Sequence, residues 1–464
     1  MAAHRTAGSA ASVTVLFGAL LIYKEAGERR VNIVLLTPGA GGMYCGACMR
    51  DNALAVALRK LGHDAILLPL YTPLTLDEAD NSFDRIFFGG INVFLQQKST
   101  IFRKTPEWMD NRLDNRALLR MALGIGVKTD AKDLGELTIS MLKGEDGFQV
   151  KELNKLTAWM STHVKPDVIC LSNALLCGLA PKLRATLKVP IVCTLQGEDY
   201  FLDGLPEAQR SEAWTLLQKR ATDVDAFIGV SRYYGETMRA RMNLAPEKVI
   251  TVYNGIDLSG FGAKTAADTQ TIGFLARMAP EKGLRTLVRA FKLVREKMPA
   301  AKLHIAGSKT AGDEAFVNEI AAEIKRDNLH PHVTFSPNVD RAGKIAFLQS
   351  LSVLSVPAEY GESFGLYVVE ALACGVPVVQ PRHGAFPELI EATGGGILYE
   401  PGKVDELAAK LCELLGDAAR RKELGEIGRR VVIERFSLER MAKDVVGVFE
   451  GMIHHRDHRE HRGK

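Results

Sequence analysis

The chain has 464 residues, of which 47% are hydrophobic and 25% are charged, and its formal net charge is only +4. This length and composition predict two or three globular domains, and the small net charge argues against a nucleic-acid-binding protein. Seven cysteines in so long a chain do not make the dense disulfide framework of a small secreted protein and indicate a reducing compartment. We therefore expect a cytoplasmic protein.

The first thirty residues differ in pattern from the rest. Their apolar stretch, ASVTVLFGALLIY at 11–23, is shorter than the ~20 residues that a transmembrane helix needs. The flanking sequence fits a secretory signal poorly. Residues 1–30 are interpreted as an extension outside the fold, with a membrane-contacting anchor and secretion as the alternatives. A peripheral contact with a membrane is therefore kept as an alternative.

Strand and helix patterns alternate from residue 31 onward. The buried-strand run VNIVLLTPG is followed by a glycine-rich loop, a helix with apolar residues at helical spacing, and the strand HDAILLPLY. Such a β-α-β unit predicts a parallel sheet. Four further strands are predicted at PDVICLSN, VPIVCTLQG, VDAFIGVS and VITVYNG. Residues 83–163 are predicted to be a mainly helical insertion, with FDRIFFGGINVFLQQ as a hairpin or an extra strand pair.

A second series of strands begins after the linker-like segment DLSGFGAKTAADTQ. Its strands are predicted at TIGFLARM, KLHIAGS, HVTFSPN, LSVLSVP, GVPVVQP and GGILYEP. We therefore predict an α/β protein with two Rossmann-like, doubly wound parallel sheets that face each other across a cleft. The predicted domains are 31–255 and 256–440. A closing helix and polar tail occupy 441–464.

Two cations follow the first strand of this second series. The strand TIGFLAR ends at Arg277, and a helix is expected to begin near Glu281 or Lys282. Ligands of doubly wound sheets bind beyond the carboxyl ends of the strands. Two cations there, with helix N-terminal amides nearby, suit a diphosphate. The alternative interpretation is ordinary surface charge at a solvated helix start.

Two glutamates flank the start of a later helix in AEYGESFGLYVVEALACG. Glu362 is predicted on a loop, where it can accept hydrogen bonds from hydroxyl groups, and Glu370 two turns into the helix. Ser363 is predicted to cap this helix. The free amides expected to meet an anion are those of Ser363, Phe364, Gly365 and Leu366. Two acceptors beside an anion site indicate a sugar nucleotide, and the alternative is a capped amphipathic helix.

This stretch resembles the E-x7-E signature of the retaining family 4 glycosyltransferases, which have the GT-B fold. ARMAPEKGL, VYNGID and LHIAGS are also similar to segments of that family, and the resemblance extends from Val31 to about Ile453. It implies that Glu362 binds the donor sugar and Glu370 the ribose. It further implies that Arg277 and Lys282 stabilise the departing diphosphate.

The resemblance also assigns the rest of the donor site. Gly41 and Gly42 would approach the donor phosphates, and the segment that contains Val339 would contact the nucleobase without distinguishing UDP, GDP or ADP. Front-face attack by an acceptor hydroxyl, with a phosphate oxygen as proton acceptor, is the implied mechanism. No cofactor and no metal are expected, and the D-x-D at Asp223 and Asp225 is interpreted as a false positive.

Two segments depart from the family pattern. Gln196 occupies a position where family members often carry histidine, and a glutamine amide can donate a hydrogen bond but cannot titrate. Glu198 and Asp199 are predicted to contact the sugar or the acceptor instead, and the alternative is a loop that only caps the next helix. For Cys45 and Cys48 the alternatives are packing, redox sensitivity and half of a metal site.

Three functions are weighed from these residues. The first is transfer of a sugar, with retention, from a nucleoside-diphosphate sugar to a hydroxyl of a glycan, lipid or small molecule. The second is α-glucan elongation, because GGMYCGACMRDNALAVALRKLGHDAILLPLY and GGINVFLQQ resemble the opening of glycogen and starch synthases. The third is a non-catalytic sugar-nucleotide binding protein, which Gln196 would allow.

Overall fold

The computed structural model describes residues 30–39, 46–76, 78–105, 131–263 and 270–462. They form two six-stranded parallel sheets with helices packed on them, so the predicted fold class is confirmed. Residues 1–29 of the predicted extension (1–30) lie outside the described residues, and so do Gly41, Gly42 and Cys45. In the part of the chain that is described, no helix has the length and apolar character to cross a bilayer.

The first sheet has the strand order β2-β1-β3-β4-β5-β6. Its strands are β1 (Asn32–Thr37), β2 (Asp64–Pro69), β3 (Val168–Leu171), β4 (Ile191–Leu195), β5 (Ala226–Gly229) and β6 (Val249–Thr251). The second sheet has the order β12-β11-β10-β7-β8-β9. Its strands are β7 (Thr271–Leu275), β8 (Lys302–Gly307), β9 (Val333–Pro337), β10 (Val353–Leu354), β11 (Val378–Pro381) and β12 (Gly396–Tyr399).

The buried apolar runs explain why these segments pair as parallel strands. Every residue of β3, β4, β5, β7 and β11 is buried. Parallel strands covered by helices on both faces read as continuous hydrophobic runs rather than as alternating ones. The edge strands β6 and β9 are more exposed. All twelve strands lie where the sequence predicted them.

Helices connect and cover the strands. Those of the first half are α1 (Gly46–Lys60), α2 (Gly90–Lys98), α3 (Ala131–Lys143), α4 (Val150–Trp159), α5 (Ala180–Leu187), α6 (Glu198–Asp203), α7 (Glu207–Arg220) and α8 (Arg232–Arg241). Those of the second half are α9 (Leu284–Lys297), α10 (Glu314–Arg326), α11 (Arg341–Gln349), α12 (Leu366–Ala373), α13 (Phe386–Thr393), α14 (Val404–Gly416), α15 (Ala418–Arg435) and α16 (Leu438–Arg462).

The predicted hairpin in residues 83–97 is wrong, because the described structure has helix α2 there and no strand. Asn92 and Gln96, one helical turn apart, are fully buried and donate to the Glu152 carboxylate at 2.9 and 2.8 Å. In a strand, Phe94 would point to the same side as these two amides. The helix instead leaves Phe94 38% exposed. The hydrogen bonds to Glu152, which is distant in sequence, therefore favour a helix over a strand in this segment.

The chain crosses between the two sheets twice, at neighbouring positions. Ile256 donates its amide to the Phe436 carbonyl at 3.0 Å, and Leu438 donates to the Ile256 carbonyl at 2.9 Å. Helix α16 then packs on α1, and Phe449 joins the core that contains Leu54 of the first sheet's side. The predicted polar tail is helical as far as Arg462. The domain boundaries at 255 and 440 stay predictions.

Gly283 brings the turn that carries Lys282 against the end of the second sheet. Its φ is +72°, and a Cβ atom there would lie 1.8 Å from the Pro357 carbonyl oxygen. We predict that Gly283→Ala lowers the thermal unfolding midpoint by about 5 °C or more. Gly416→Ala, where no atom of the described residues lies within 4 Å of the added Cβ, serves as the control and stays within about 2 °C. Equal midpoints for the two variants would contradict this packing.

Candidate active site

A cavity of about 410 Å³ lies between the carboxyl ends of the two sheets. Residues that follow β1, β4, β5 and β6 form one wall, and residues that follow β7, β8, β9 and β10 form the other. The structure thus brings together most of the residues that the sequence singled out. The predicted residues that line the cavity are Gln196, Arg277, Lys282, Val339, Glu362, Ser363, Phe364, Gly365, Leu366 and Glu370.

Lys282 and Glu362 form an ion pair in the wall of this cavity. The Lys282 Nζ lies 2.7 Å from Glu362 Oε2 and also donates to the Tyr360 hydroxyl. The Tyr367 hydroxyl donates to the same carboxylate oxygen at 2.9 Å. Burial alone disfavours the ammonium, but the charge of Glu362 and the hydrogen bonds outweigh it and raise the pKa of Lys282. The cation is therefore held in position beside Glu362.

Arg277 stands at the end of β7, where the sequence placed it. Its Nη2 donates to Asp313 Oδ1 at 2.8 Å, and its Nη1 lies 3.5 Å from Glu281 Oε1. The hydrogen bond with Asp313 raises the pKa of Arg277, although burial opposes it. Burial by itself disfavours the Asp313 carboxylate, but the hydrogen bonds from Arg277 and Thr310 lower its pKa. Asp313 therefore holds the guanidinium in the lining of the cavity.

Glu370 pairs with a residue that the sequence did not reveal as part of the site. Its Oε1 lies 2.7 Å from Lys344 Nζ, and the two side chains are only 14% and 12% exposed. Lys344 lies on α11, and both residues line the cavity. A single lysine on an amphipathic helix reads as surface charge, so no signal in the sequence could have identified it.

The start of helix α12 differs from the prediction at Ser363. Gly365 is the N-cap residue, with φ of 92°, and no side chain of the described residues caps the helix. The Ser363 hydroxyl lies 3.4 Å from the Gln196 carbonyl instead, and its own carbonyl accepts from the Ser231 hydroxyl at 2.6 Å. The predicted capping by Ser363 is wrong because these cross-cleft contacts hold the residue. Among the described groups, none accepts a hydrogen bond from the amides of residues 363–366.

Glu198 lies beneath the wall of the cavity rather than in it. Its carboxylate is 5% exposed and accepts from the amides of Ala174, Gln196 and Gly197 at 2.8, 2.8 and 3.0 Å. The Tyr234 hydroxyl donates to it at 2.8 Å. Burial raises the pKa of Glu198, and these donors oppose that rise. With both oxygens engaged, Glu198 shapes the loop that carries Gln196.

The neighbouring residues of this loop divide between the cavity and the protein interior. Gln196 lines the cavity, and its Nε2 donates to the Ser172 carbonyl at 2.6 Å. Asp199 is not among the lining residues, and its Oδ1 lies 2.9 Å from the Tyr234 hydroxyl. Tyr200 does line the cavity, and its ring packs against that of Tyr360 with centroids 4.7 Å apart. An aromatic pair therefore spans the two walls.

The cysteine and D-x-D segments have structural partners. Cys48 is fully buried beside Thr37, whereas Cys45 lies outside the described residues. Asp225 accepts from the Ile191 amide at 2.8 Å and pairs with Arg184 at 2.7 Å. Within the described ranges, no three side chains of histidine, cysteine, aspartate or glutamate gather where a metal could bind.

Family models match both halves of the chain. The model described as "Glycosyltransferase Family 4" matches residues 140–259, and the model described as "Glycosyl transferases group 1" matches residues 261–431. The two matches meet close to the first crossing between the sheets and together extend over more than half of the chain. Their order along the chain is the order of the two walls of the cavity.

Individual proteins are similar as well. A GDP-mannose-dependent monoacylated alpha-(1-6)-phosphatidylinositol monomannoside mannosyltransferase of Corynebacterium glutamicum is 26% identical over 296 residues, 60% of this chain and 73% of its own. The structure of sucrose-phosphate synthase from Thermosynechococcus elongatus superposes with a TM-score of 0.68 at 20% identity over 91% of this chain and 99% of the other.

The HepE protein of Anabaena, solved in complex with UDP, superposes with a TM-score of 0.63 at 18% identity, over 90% of this chain and all of HepE. Identities this low bear on the fold alone, and both structures have the arrangement of two facing sheets seen here. Fold, family models and sequence signature agree. The chain belongs to the family 4 glycosyltransferases, which have the GT-B fold.

Proposed function

We propose that this glycosyltransferase moves a hexose, with retention, from a nucleoside-diphosphate sugar to a hydroxyl acceptor. The observation that carries the proposal is the grouping of cations and carboxylates in one cavity. Two cations, Arg277 and Lys282, lie in the same cavity as the free amides at the start of α12. Glu362 and Glu370 lie in it too, eight residues apart in the chain. A ligand in which a sugar, a diphosphate and a ribose follow one another would require such an arrangement.

Each group has a role that its surroundings support. Arg277, Lys282 and the amides of residues 363–366 would bind the diphosphate, because fixed cations and helix N-terminal amides stabilise developing negative charge without reorganisation. Glu362 would accept hydrogen bonds from the sugar, and Glu370 from the ribose. Val339 would lie against the nucleobase. Gln196, on the opposite wall, would donate to the sugar or the acceptor.

The surroundings of the carboxylates favour front-face attack over a covalent intermediate. Glu362 Oε2 is held by Lys282 and Tyr367, and the side chain is buried, so it is poorly placed to attack the anomeric carbon. Glu198 is enclosed by its four donors. In the proposed step the bond from the anomeric carbon to the phosphate oxygen breaks as the acceptor oxygen bonds to the same face. The acceptor proton passes to a phosphate oxygen of the leaving group.

Donor identity is the first point to test. The Corynebacterium glutamicum relative is named for its dependence on GDP-mannose, and HepE was solved with UDP. We therefore place GDP-mannose first among the donors and UDP-glucose second, with ADP-glucose as the donor that α-glucan elongation would suggest. A glycan, a lipid or a small polyol can each supply the hydroxyl acceptor.

A thermal-shift panel of these three sugar nucleotides tests donor binding. One nucleotide class should raise the unfolding midpoint by about 3–5 °C at a concentration near 100 times its dissociation constant. The rise should vanish in Glu370→Ala, with each variant compared with its own ligand-free midpoint because Lys344 loses its partner. Glu413→Ala removes an exposed glutamate that also pairs with a lysine and should keep the rise. No rise from any donor would contradict the proposal.

Replacement of Lys282 tests charge stabilisation of the leaving group. Lys282→Met should lower kcat by about 10²–10³-fold with a smaller change in KM, because the cation acts mainly on charge that develops in the transition state. Lys292→Met, a half-exposed lysine on α9, should leave kcat unchanged. Since the pKa of Lys282 lies above its ordinary 10.5, the difference should persist up to about pH 10. A change confined to KM would count against this role.

Stereochemistry tests retention. With the donor established, glycans, lipid-linked sugars and polyols are screened as acceptors, and the linkage of the first product is read by NMR from its anomeric coupling. An α-linked sugar nucleotide should give an α-linked product, because both bonds involve the same face of the sugar. A β-linked product would contradict front-face attack and would require a general base on the opposite face.

A further inference from the structure

The N-terminus of helix α8 obtains two of its hydrogen-bond partners from the other sheet's side of the cleft. The amides before the first regular helical bond have no partner within the helix. In α8 that first bond runs from the Gly235 amide to the Ser231 carbonyl at 2.9 Å, and the Tyr234 amide donates to the Ser231 hydroxyl at 3.0 Å. The first two amides, of Arg232 and Tyr233, donate to the two carboxylate oxygens of Glu388, each at 2.9 Å.

Glu388 lies on α13, which follows β11 of the second sheet, whereas α8 follows β5 of the first. The first turn of α8 has no acidic residue of its own, so Glu388 supplies the negative charge that the positive end of a helix dipole favours. Hydrogen bonds to an ionised carboxylate are stronger than those between neutral groups. The two sides of the cleft are thus joined by a bidentate, charge-assisted contact.

Both helices also touch the loop that carries Glu362. The amide of Ala385, at the start of α13, donates to the Glu362 carbonyl at 2.9 Å. From the other side, the Ser231 hydroxyl donates to the Ser363 carbonyl at 2.6 Å. Tyr233 presses so closely on Gly361 that a Cβ atom there would lie 2.1 Å from the tyrosine hydroxyl. The loop is therefore clamped between α8 and α13.

We infer that Glu388 is an interdomain latch, which holds α8 against residues 360–363 and so sets the distance between the two walls of the cavity. When the walls separate, both amides and the carboxylate become hydrated, so the latch is reversible rather than permanent. This inference goes beyond the proposed function, because it concerns how the two walls are held together in the ligand-free protein and depends on no particular donor.

A neighbouring glutamate provides a matched control. Glu391 lies one turn further along α13, and its carboxylate is 3.9 Å from the Arg232 guanidinium across the same gap. Those two side chains are 81% and 65% exposed, and such surface pairs contribute little. Glu391→Gln therefore removes the same charge from the same helix without touching the two amides of α8.

Hydrogen–deuterium exchange and small-angle scattering on the full, ligand-free chain test the latch. In Glu388→Gln, we expect peptides that cover the start of α8 and the loop of residues 360–366 to exchange about tenfold faster than in the wild type. The radius of gyration of Glu388→Gln should also be larger than that of the wild type. Glu388→Asp, which keeps the charge on a shorter side chain, should show exchange rates and a radius of gyration between those of Glu388→Gln and the wild type. Glu391→Gln should have the wild-type values of both.

Two results would overturn the inference. Faster exchange confined to α8, with an unchanged loop and an unchanged radius of gyration, would show that Glu388 only caps a helix. Identical exchange in Glu388→Gln and Glu391→Gln would show that neither contact holds the walls together. A thermal midpoint within about 3 °C of the wild type establishes in either case that the variant is folded. Neither readout requires transfer activity, so failure of the latch and failure of the proposed function are distinguishable.

Discussion

The ion pair between Lys282 and Glu362 sets the geometry on which the rest of the cavity depends. A buried ion pair must recover a large desolvation cost, and it does so only with good geometry and further hydrogen bonds. Here Tyr360 and Tyr367 supply those bonds. The pair is therefore held in one arrangement. In the proposed function, this arrangement would place a cation for the diphosphate beside a carboxylate for the sugar before any ligand arrives.

The two facing sheets bring distant segments of the chain to this pair. Parallel strands of both sheets end at the cleft, so the residues that follow β4 and β7 meet although some eighty positions separate Gln196 from Arg277. The backbone crossings at Ile256 and Ser437 join the sheets at one end. Towards the cavity, the contacts across the cleft include the hydrogen bonds of Ser231 and Glu388 and the aromatic pair of Tyr200 and Tyr360.

Sequence patterns were sufficient for features that depend on local chemistry. Buried apolar runs located all twelve strands, and the position of Arg277 after one of them placed it at the cleft. Features that depend on partners distant in sequence could not be predicted from the sequence. The segment of helix α2 was predicted to be a hairpin, because Glu152, the partner of Gln96, lies 56 positions away in the sequence. Lys344 and Glu388 read as ordinary helix-surface charges, since nothing near them in sequence indicates what they contact.

A double-mutant cycle on the Lys282–Glu362 pair tests the central claim most directly. Initial rates of transfer are compared for the wild type, Lys282→Met, Glu362→Gln and the double variant. Residues that act as one unit give losses that do not multiply. The account predicts that the activity of the double variant equals that of the less active single variant, within roughly threefold. Losses that multiply would show two independent groups and would contradict a preorganised pair.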